Sequence, residues 1–579
     1  MEPLHFWFAA RRIIADRLLA AETAGGPVTS PPSSGIELRH RAALRNPLVF
    51  LNAAVSAKGR YSLLAGLGIV IVGSLLIEIS RLNTWDEAWF LQAATRLSRG
   101  EALYREVFFP TTPLAAYAGS GVVALFGSEL VVLKVAGVAC IAATFLLVFR
   151  VAEQLRTPFS PVVLGAAVLL VELPYTFGYT IAATMLLVAT LAALLAWHAR
   201  FAAGRSSRLR WLVLTGALAG ATMATKHNVG VLVGAASAIS VVVILQQTGR
   251  ASARESLASL AAVTVPMAIV PLAVMVPVLL SGGLHAAFDY TVASKFGYLE
   301  HSAMSYGTGF GYSLGALLPD ERFSAGTVLA GLQAGRPWVY LLPPAAALAV
   351  GWAWWRRREA FRGNGIPLVS FTMAAAATIY PLAEQSHLTV TAPLFLVAVA
   401  HFARATVPRA AGSLLGLGCV ALAGVLMVTA PLLWARWGNR VATTAHVRGV
   451  VMAPGAERQL IDSAHQIRAA TGGRAVFYLL PEAGLYYLLT DSANPTPYDF
   501  PMRTAFGTEG TRVVREMLDR GEIQDVCLDR SWGLPGPLPG PFPALQPVEL
   551  ATHIRTDLTY VITLAACDLY TTGRGGSAN

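Results

Sequence analysis

The stretch YSLLAGLGIVIVGSLLIEISRLNTWDEAWF, residues 61–90, decides how the rest of the chain is read. Residues 61–79 form an apolar run which, as a helix, is long enough to cross a hydrocarbon core of roughly 30 Å. A polar turn and the adjacent acids Asp86 and Glu87 follow at once, which puts two carboxylates at a membrane surface. Runs of the same kind recur at about residues 130–151, 161–173, 181–197, 211–224, 229–245 and 257–280, then at 337–355, 366–382, 388–402 and 413–433. The pattern predicts a polytopic α-helical membrane protein of about eleven transmembrane helices. Several runs fall short of about 20 residues, so their ends are the least defined part of the reading.

Composition agrees. Of 579 residues, 13% are charged, against roughly 25% in soluble domains, and 55% are hydrophobic, so there is too little polar surface to cover several water-soluble cores. A soluble enzyme, a secreted scaffold and a disordered tail are excluded for the bulk of the chain. The net charge of +11 would by itself suggest a nucleic-acid partner, but its distribution assigns it elsewhere. Arginines collect at residues 200–210, 250–254, 356–362 and 404–409, while the turns at 174–180 and 384–387 hold no Lys or Arg. That asymmetry marks cytoplasmic loops, so the charge reports topology and contact with the lipid bilayer rather than nucleic acid. It places the N-terminus in the cytoplasm and the C-terminus outside.

The domain reading follows. Residues 1–60, with many arginines and a Pro/Ser/Gly stretch at 25–35, lack the apolar core of a signal peptide and are expected to form a cytoplasmic tail. Residues 61–434 make the transmembrane domain, with extracytoplasmic loops at 80–126 and 281–336. Residues 435–579 are expected to be a small extracytoplasmic α/β domain, with helices at 457–470 and 511–520, strands at 474–480 and 524–528, and a Pro/Gly-rich loop at 532–547. Pro481-Glu482-Ala483-Gly484 places a loop for a substrate at the end of the first strand. Four cysteines are too few for a disulfide framework. Cys140 and Cys419 lie in apolar runs as core residues, whereas Cys527 and Cys567 can bond if the tail faces an oxidising compartment.

In the acidic stretch, Phe90, Ala93, Ala94 and Leu97 recur at helical spacing while Gln92, Thr95, Arg96 and Arg99 point elsewhere, describing an amphipathic helix in the interface, stopped by Gly100. Thr84 and Glu87 have capping-box spacing, which accounts for Glu87. It does not account for Asp86, an ionised carboxylate at a helix N-terminus, suited to take a proton from a hydroxyl or to bind a divalent cation with its neighbour.

Downstream, residues 104–114 read YREVFFPTTPL, extended and punctuated by proline. A first span, an acidic pair opening an interfacial helix, the Gly-x-x-Leu-Tyr turn from Gly100 to Tyr104 and the Phe-Phe-Pro-x-x-Pro-Leu lead into the next helix together resemble the GT-C superfamily of integral-membrane glycosyltransferases. The resemblance is to the family 39 branch related to aminoarabinose transferase and protein O-mannosyltransferases. It covers residues 84–114 by motif, and span count, orientation and C-terminal domain over the whole chain. It implies a sugar donor on a polyprenyl-phosphate carrier, an acceptor outside the cytoplasm and an essential first-loop acid. On this chain the acid is Asp86, with Glu87 as companion, and Tyr104 joins the candidates for the substrate or carrier phosphate.

Further candidates sit between spans. Lys226, with His227 and Asn228, interrupts the fifth and sixth runs. A lysine there either snorkels or faces an aqueous cavity, where it would stabilise a departing phosphate; a polar hairpin tip is the plain alternative. Glu384 and His387, joining the ninth and tenth runs, have the i, i+3 spacing of one helical face and could share a metal or a substrate hydroxyl. An acidic-x-x-His turn here also resembles what many relatives carry. Glu172, a lone intramembrane acid, is expected to snorkel. Lys295, His301, Tyr306 and Arg322 lie in the second loop, and their spacing selects none of them. No cofactor is demanded; a divalent cation is the one candidate, with Asp86, Glu87, Glu384 and His387 as ligands if folding brings them together.

Walker A, GxGxxG with its acid, HExxH and CxxC are missing, which removes nucleotide-driven transport and nicotinamide chemistry. The leading reading is a glycosyltransferase acting by inverting displacement. A secondary transporter or flippase competes on the strength of scattered intramembrane charges, although no internal duplication supports it. A membrane scaffold whose tail binds a partner is the third.

Overall fold

The computed structural model describes residues 57–573 apart from 81, 83, 158–159, 173–176, 205–208, 250–251, 297–302, 316–335, 381, 404–408, 437, 503–504 and 533–545. Residues 1–56 of the predicted tail, most of the Pro/Gly-rich loop, His301 and Arg322 lie outside the described residues.

Each run read as a span contains a helix among the described residues, those at 161–173 and 366–382 ending short of the run, at Val171 and Ala377. The order begins with α1 (Ala57–Ile79), the first-loop helices α2 (Asp86–Ser98) and α3 (Leu114–Phe126), then α4 (Leu130–Gln154), α5 (Pro161–Val171) and α6 (Tyr179–Ala202). It continues with α7 (Leu209–Thr225), α8 (His227–Thr248) and α9 (Ala253–Leu280). The second loop holds α10 (Leu284–Phe288), a π-helical turn over Asp289–Ala293 and α11 (Tyr306–Gly315), and α12 (Pro337–Arg356), α13 (Gly365–Ala377), α14 (Gln385–Ala403) and α15 (Arg409–Arg436) complete the helical part. Among the described residues, seven helices are long and apolar enough to cross a membrane; α3, α5 and α13 are apolar but shorter.

The helices close on a core containing Phe145, Leu191, Trp197, Leu212, Ile244, Phe371 and Phe395. Small residues set the approach, since lipid supplies no hydrophobic drive between helices. At Gly216 in α7 a Cβ would stand 2.1 Å from the Val263 carbonyl oxygen of α9, so only glycine allows that crossing.

The C-terminal region contains β1 (Arg440–Val441), β2 (Val451–Met452), α16 (Ala456–Thr471), β3 (Val476–Leu479), α17 (Ala483–Thr490), α18 (Gly510–Asp519), β4 (Asp525–Leu528), α19 (Val548–Asp557), β5 (Thr559–Thr563) and β6 (Asp568–Thr571). The predicted strands and helices of the tail are all present. The four-stranded sheet runs β3-β4-β6-β5, with β3 and β4 parallel and the other pairs antiparallel. Side chains alternate between its faces. Val476, Tyr478 and Cys527 meet Ile467 and Tyr487, while Phe477, Leu479, Val526 and Leu528 meet Val514, Leu518 and Ile554. A disulfide joins Cys527 to Cys567 across a separation of 40 residues.

The second of those faces is continuous with the first loop. Trp89, Phe90, Leu91, Phe108 and Phe109 belong to the same buried cluster as Phe477 and Val526. The expected interfacial helix is therefore corrected: α2 is covered, with every residue from Glu87 to Arg96 buried. From its polar stripe, Arg96 reaches the C-terminal region, while Arg99 is exposed.

Candidate active site

Asp86 is the first residue of α2 and is exposed, with its carboxylate at the positive end of the helix. The capping box expected of Thr84 and Glu87 does not form. The helix begins one residue later than that motif needs, so Trp85 takes the cap position and provides no side-chain cap. Glu87 turns inward, where its Oε2 accepts from the Lys134 ammonium of α4 at 2.7 Å, and Glu78 Oε2 at the end of α1 lies 3.4 Å from the same nitrogen.

Arg96, two turns further along, ties α2 to the C-terminal region. Its Nη1 donates to both oxygens of Asp499 at 2.9 and 3.0 Å and to the Thr496 carbonyl at 3.1 Å, its Nε to Glu101 at 2.8 Å and its Nη2 to the Glu106 carbonyl at 2.6 Å. Trp89 packs between Phe109 and Phe500, with ring centroids 5.6 and 5.3 Å away. The Pro481–Gly484 loop opens α17 directly against α2, and a Cβ on Gly484 would lie 2.6 Å from the Trp89 nitrogen. Burial, aided by the Asp529 carboxylate, pushes the Glu482 carboxyl above the ordinary range.

Tyr104 shapes the loop that follows. It adopts a φ of 66°, its hydroxyl donates to the Thr111 carbonyl at 2.6 Å, and its side chain is buried. The Phe-Phe-Pro-Thr-Thr-Pro segment then links the first loop to the second charged cluster. Thr112 Oγ1 donates to the Met223 carbonyl at 2.6 Å, Phe109 lies edge-on to Tyr179 at 6.2 Å, and Lys226 Nζ sits 5.5 Å from the Tyr179 ring.

Lys226 alone separates α7 from α8, in an extended conformation that ends one helix and starts the next. It is buried, so it is not a solvated hairpin tip. It interacts electrostatically with Glu384 and with Lys295, just after the π-helical turn. Glu384 is not on a shared helical face with His387. It precedes α14, its carbonyl accepts from the His387 and Leu388 nitrogens, and its carboxylate accepts from the Ser386 hydroxyl. His387 Nδ1 instead meets the Leu382 carbonyl at 2.8 Å.

The turn before Glu384 is held from the second loop and from α12. The Ala383 nitrogen donates to the Met304 carbonyl at 3.1 Å and the Tyr340 hydroxyl donates to the Ala383 carbonyl at 3.0 Å, while the Tyr306 hydroxyl donates to the Tyr340 carbonyl. At this junction, His227 Nδ1 and Gln385 Nε2 are buried with no hydrogen-bond partner among the described residues, as is Thr111 Oγ1 in the first loop. Glu172 does not snorkel; it is buried and faces the equally buried Arg336, the residue before α12.

Folding thus brings together Lys226, His227, Lys295, Glu384 and His387, and separately pairs Glu87 with Lys134. The four proposed metal ligands do not gather, and among the described residues no three His, Cys, Asp or Glu side chains form a group able to hold a metal ion. Lys134, Glu78, Arg96, Asp499, Gln385 and Arg336 escaped the sequence reading. Lys134 and Glu78 carried a usable signal, since both are charges within apolar runs, the feature that singled out Lys226.

A family model described as dolichyl-phosphate-mannose-protein mannosyltransferase matches residues 110–276, which include Lys226 but begin after Asp86. Among solved structures, ArnT from Cupriavidus metallidurans in the apo state is 13% identical and superposes with a TM-score of 0.52, covering 89% of this chain and 98% of that one. The Archaeoglobus fulgidus oligosaccharyltransferase in the apo form is 14% identical with a TM-score of 0.46, covering 90% of this chain and 76% of that one. Comparison with curated protein sequences gives no match. The chain thus has a fold similar to that of ArnT, and its residues 110–276 match the mannosyltransferase model.

Proposed function

We propose that the chain is a glycosyltransferase that moves a sugar from a polyprenyl-phosphate carrier to a hydroxyl acceptor on the extracytoplasmic face. The observation that carries this reading is the junction of α8 and α14. Lys226 and Glu384 stand immediately before the two helices and interact with each other, Lys295 adds a second ammonium, and His227 and Gln385 keep buried polar atoms without a partner among the described residues. Helix N-termini and lysines together favour an anion, and buried polar atoms left unpaired in the protein are ones a ligand can satisfy. A carrier phosphate meets both demands. The description of the matched family model names the same donor chemistry.

In the reaction, the acceptor oxygen bonds to the anomeric carbon while the bond from that carbon to the phosphate oxygen breaks. Asp86 takes the acceptor proton, and the electron pair leaves with the phosphate, whose growing charge Lys226 and Lys295 stabilise. A direct displacement inverts the anomeric centre. The C-terminal region, packed on α2, is the element that meets the acceptor. The Cys527–Cys567 bond supports an oxidising compartment for that region, and hence a cytoplasmic N-terminus.

The test is transfer by the purified full chain from a synthetic polyprenyl-phosphate sugar, read as glycosylated acceptor plus free polyprenyl phosphate. Full activity of Asp86→Asn at normal expression would remove Asp86 from the role of base. Mass spectrometry of envelope glycans and lipids with and without the protein identifies the sugar and its acceptor.

A further inference from the structure

We infer that Lys134 is a positioning residue that clamps both ends of the connector carrying Asp86; the inference rests on Asp86 being the base. Lys134 is fully buried in α4, with Nζ 2.7 Å from Glu87 Oε2 and 3.4 Å from Glu78 Oε2. Glu78 is the next-to-last residue of α1 and Glu87 the second of α2, so one ammonium holds the end of one helix and the start of the other. Asp86, the first residue of α2, therefore stands next to a carboxylate fixed to a third helix, which limits the positions open to it. Successive helical residues point about 100° apart, so burying Glu87 turns its neighbour Asp86 outward, where it is exposed.

The charge count makes the clamp specific. Among the described residues one ammonium, that of Lys134, meets both carboxylates, so removing it takes from these two acids the buried cation they share. They would separate, and Glu87 would carry the start of α2 with it. The consequence is geometric, because a shift of about 1 Å in a reacting group costs on the order of 100-fold in rate.

The experiment is steady-state transfer by full-chain variants from the polyprenyl-phosphate sugar, with melting temperature recorded for each. Lys134→Met is expected to lower kcat about 100-fold and leave the donor KM nearly unchanged. Lys134→Arg, which can still reach two carboxylates, recovers part of kcat. Combining Lys134→Met with Glu78→Gln and Glu87→Gln removes the ammonium and both carboxylates together and restores the melting temperature without restoring kcat. A triple variant that regains wild-type kcat together with its melting temperature would show that the cluster serves only stability, and unchanged kcat in Lys134→Met would also overturn the clamp. Asp86→Asn is run alongside. Its loss of turnover beside an unaffected Lys134→Met defeats the clamp alone, whereas its full turnover defeats the assignment of Asp86 as base.

Discussion

Arg96 and Lys226 are both cations buried beside a carboxylate, and their surroundings differ in one respect. The Arg96 guanidinium meets Asp499, Glu101 and the carbonyls of Thr496 and Glu106, and Asp499 in turn accepts from Asn494. Next to Lys226, His227 Nδ1 and Gln385 Nε2 have no partner among the described residues. A satisfied buried network stiffens what it joins, whereas an unsatisfied one is the more costly to keep and is retained where something else completes it. The first region is built to hold α2 on the C-terminal region, and the second is built to receive a ligand. Substitutions in the first should move stability, and in the second, turnover.

The largest effect is expected at the joint. Arg96→Ala leaves Asp499 charged and buried without its partner, which costs about 3–5 kcal/mol. Thermal unfolding of the detergent-purified chain should show it as a lower melting temperature, and replacing Asp499 by Leu as well should recover part of the loss. A fall in turnover with no change in stability would contradict the division between the regions.

Lys226→Met reverses the pattern. Losing a fixed positive charge at the leaving phosphate should lower kcat about 100-fold or more, while the melting temperature falls less than in Arg96→Ala, because Glu384 keeps the Ser386 hydroxyl as a donor. Comparing donors with leaving groups of different acidity sharpens the test: the better the leaving group, the smaller the loss. An equal loss for all donors would move Lys226 from the phosphate to the binding of some other part of the donor.

These two cations also mark how far the sequence could be read. The helical body was legible because its signal is local, and residues 61–79 and the later apolar runs each declare a helix without reference to the others. Lys226 was legible for the same reason, as a charge between two runs. Arg96 was not, because its partner lies some four hundred positions away in the NPTPYDF segment at 494–500, and nothing local reports that Asp499 will be buried. Glu87 was misread for a related reason. The Thr84-x-x-Glu87 spacing satisfied a local rule, but the pull of Lys134 across two helices prevailed. The two-sided burial of β3 and β4 could be seen in their apolar runs, whereas β5, TYVIT, has strand-forming residues yet is exposed along its whole length, so its composition does not report its burial.

A smaller effect tests how closely the joint is packed. In Gly484→Ala the new Cβ would meet the Trp89 nitrogen at 2.6 Å and the Ala88 carbonyl carbon at 2.7 Å, backbone atoms that cannot swing aside as a side chain can. Forcing α17 off α2 should cost about 1–3 kcal/mol. Gly311→Ala in α11, where a Cβ meets nothing within 4 Å, is the control and should leave the melting temperature unchanged. Similar melting for the two variants would mean that α17 and α2 part easily.

The smallest effect is expected from metal removal, because the oxygen and nitrogen atoms that might have bound a cation are engaged elsewhere. Glu87 is held by Lys134, the Glu384 carboxylate by the Ser386 hydroxyl with Lys226 nearby, and His387 Nδ1 by the Leu382 carbonyl. A divalent cation at this junction would also face the charges of Lys226 and Lys295, and one carboxylate with one imidazole would leave most of its coordination to water. Two ammonium groups already supply the positive charge that a metal brings to phosphate departure in other enzymes. Transfer assayed in excess chelator should therefore proceed at the rate seen with magnesium or manganese. Abolition of transfer by chelator, with rescue by either ion, would place the cation at Asp86 and require a ligand set completed by the substrate.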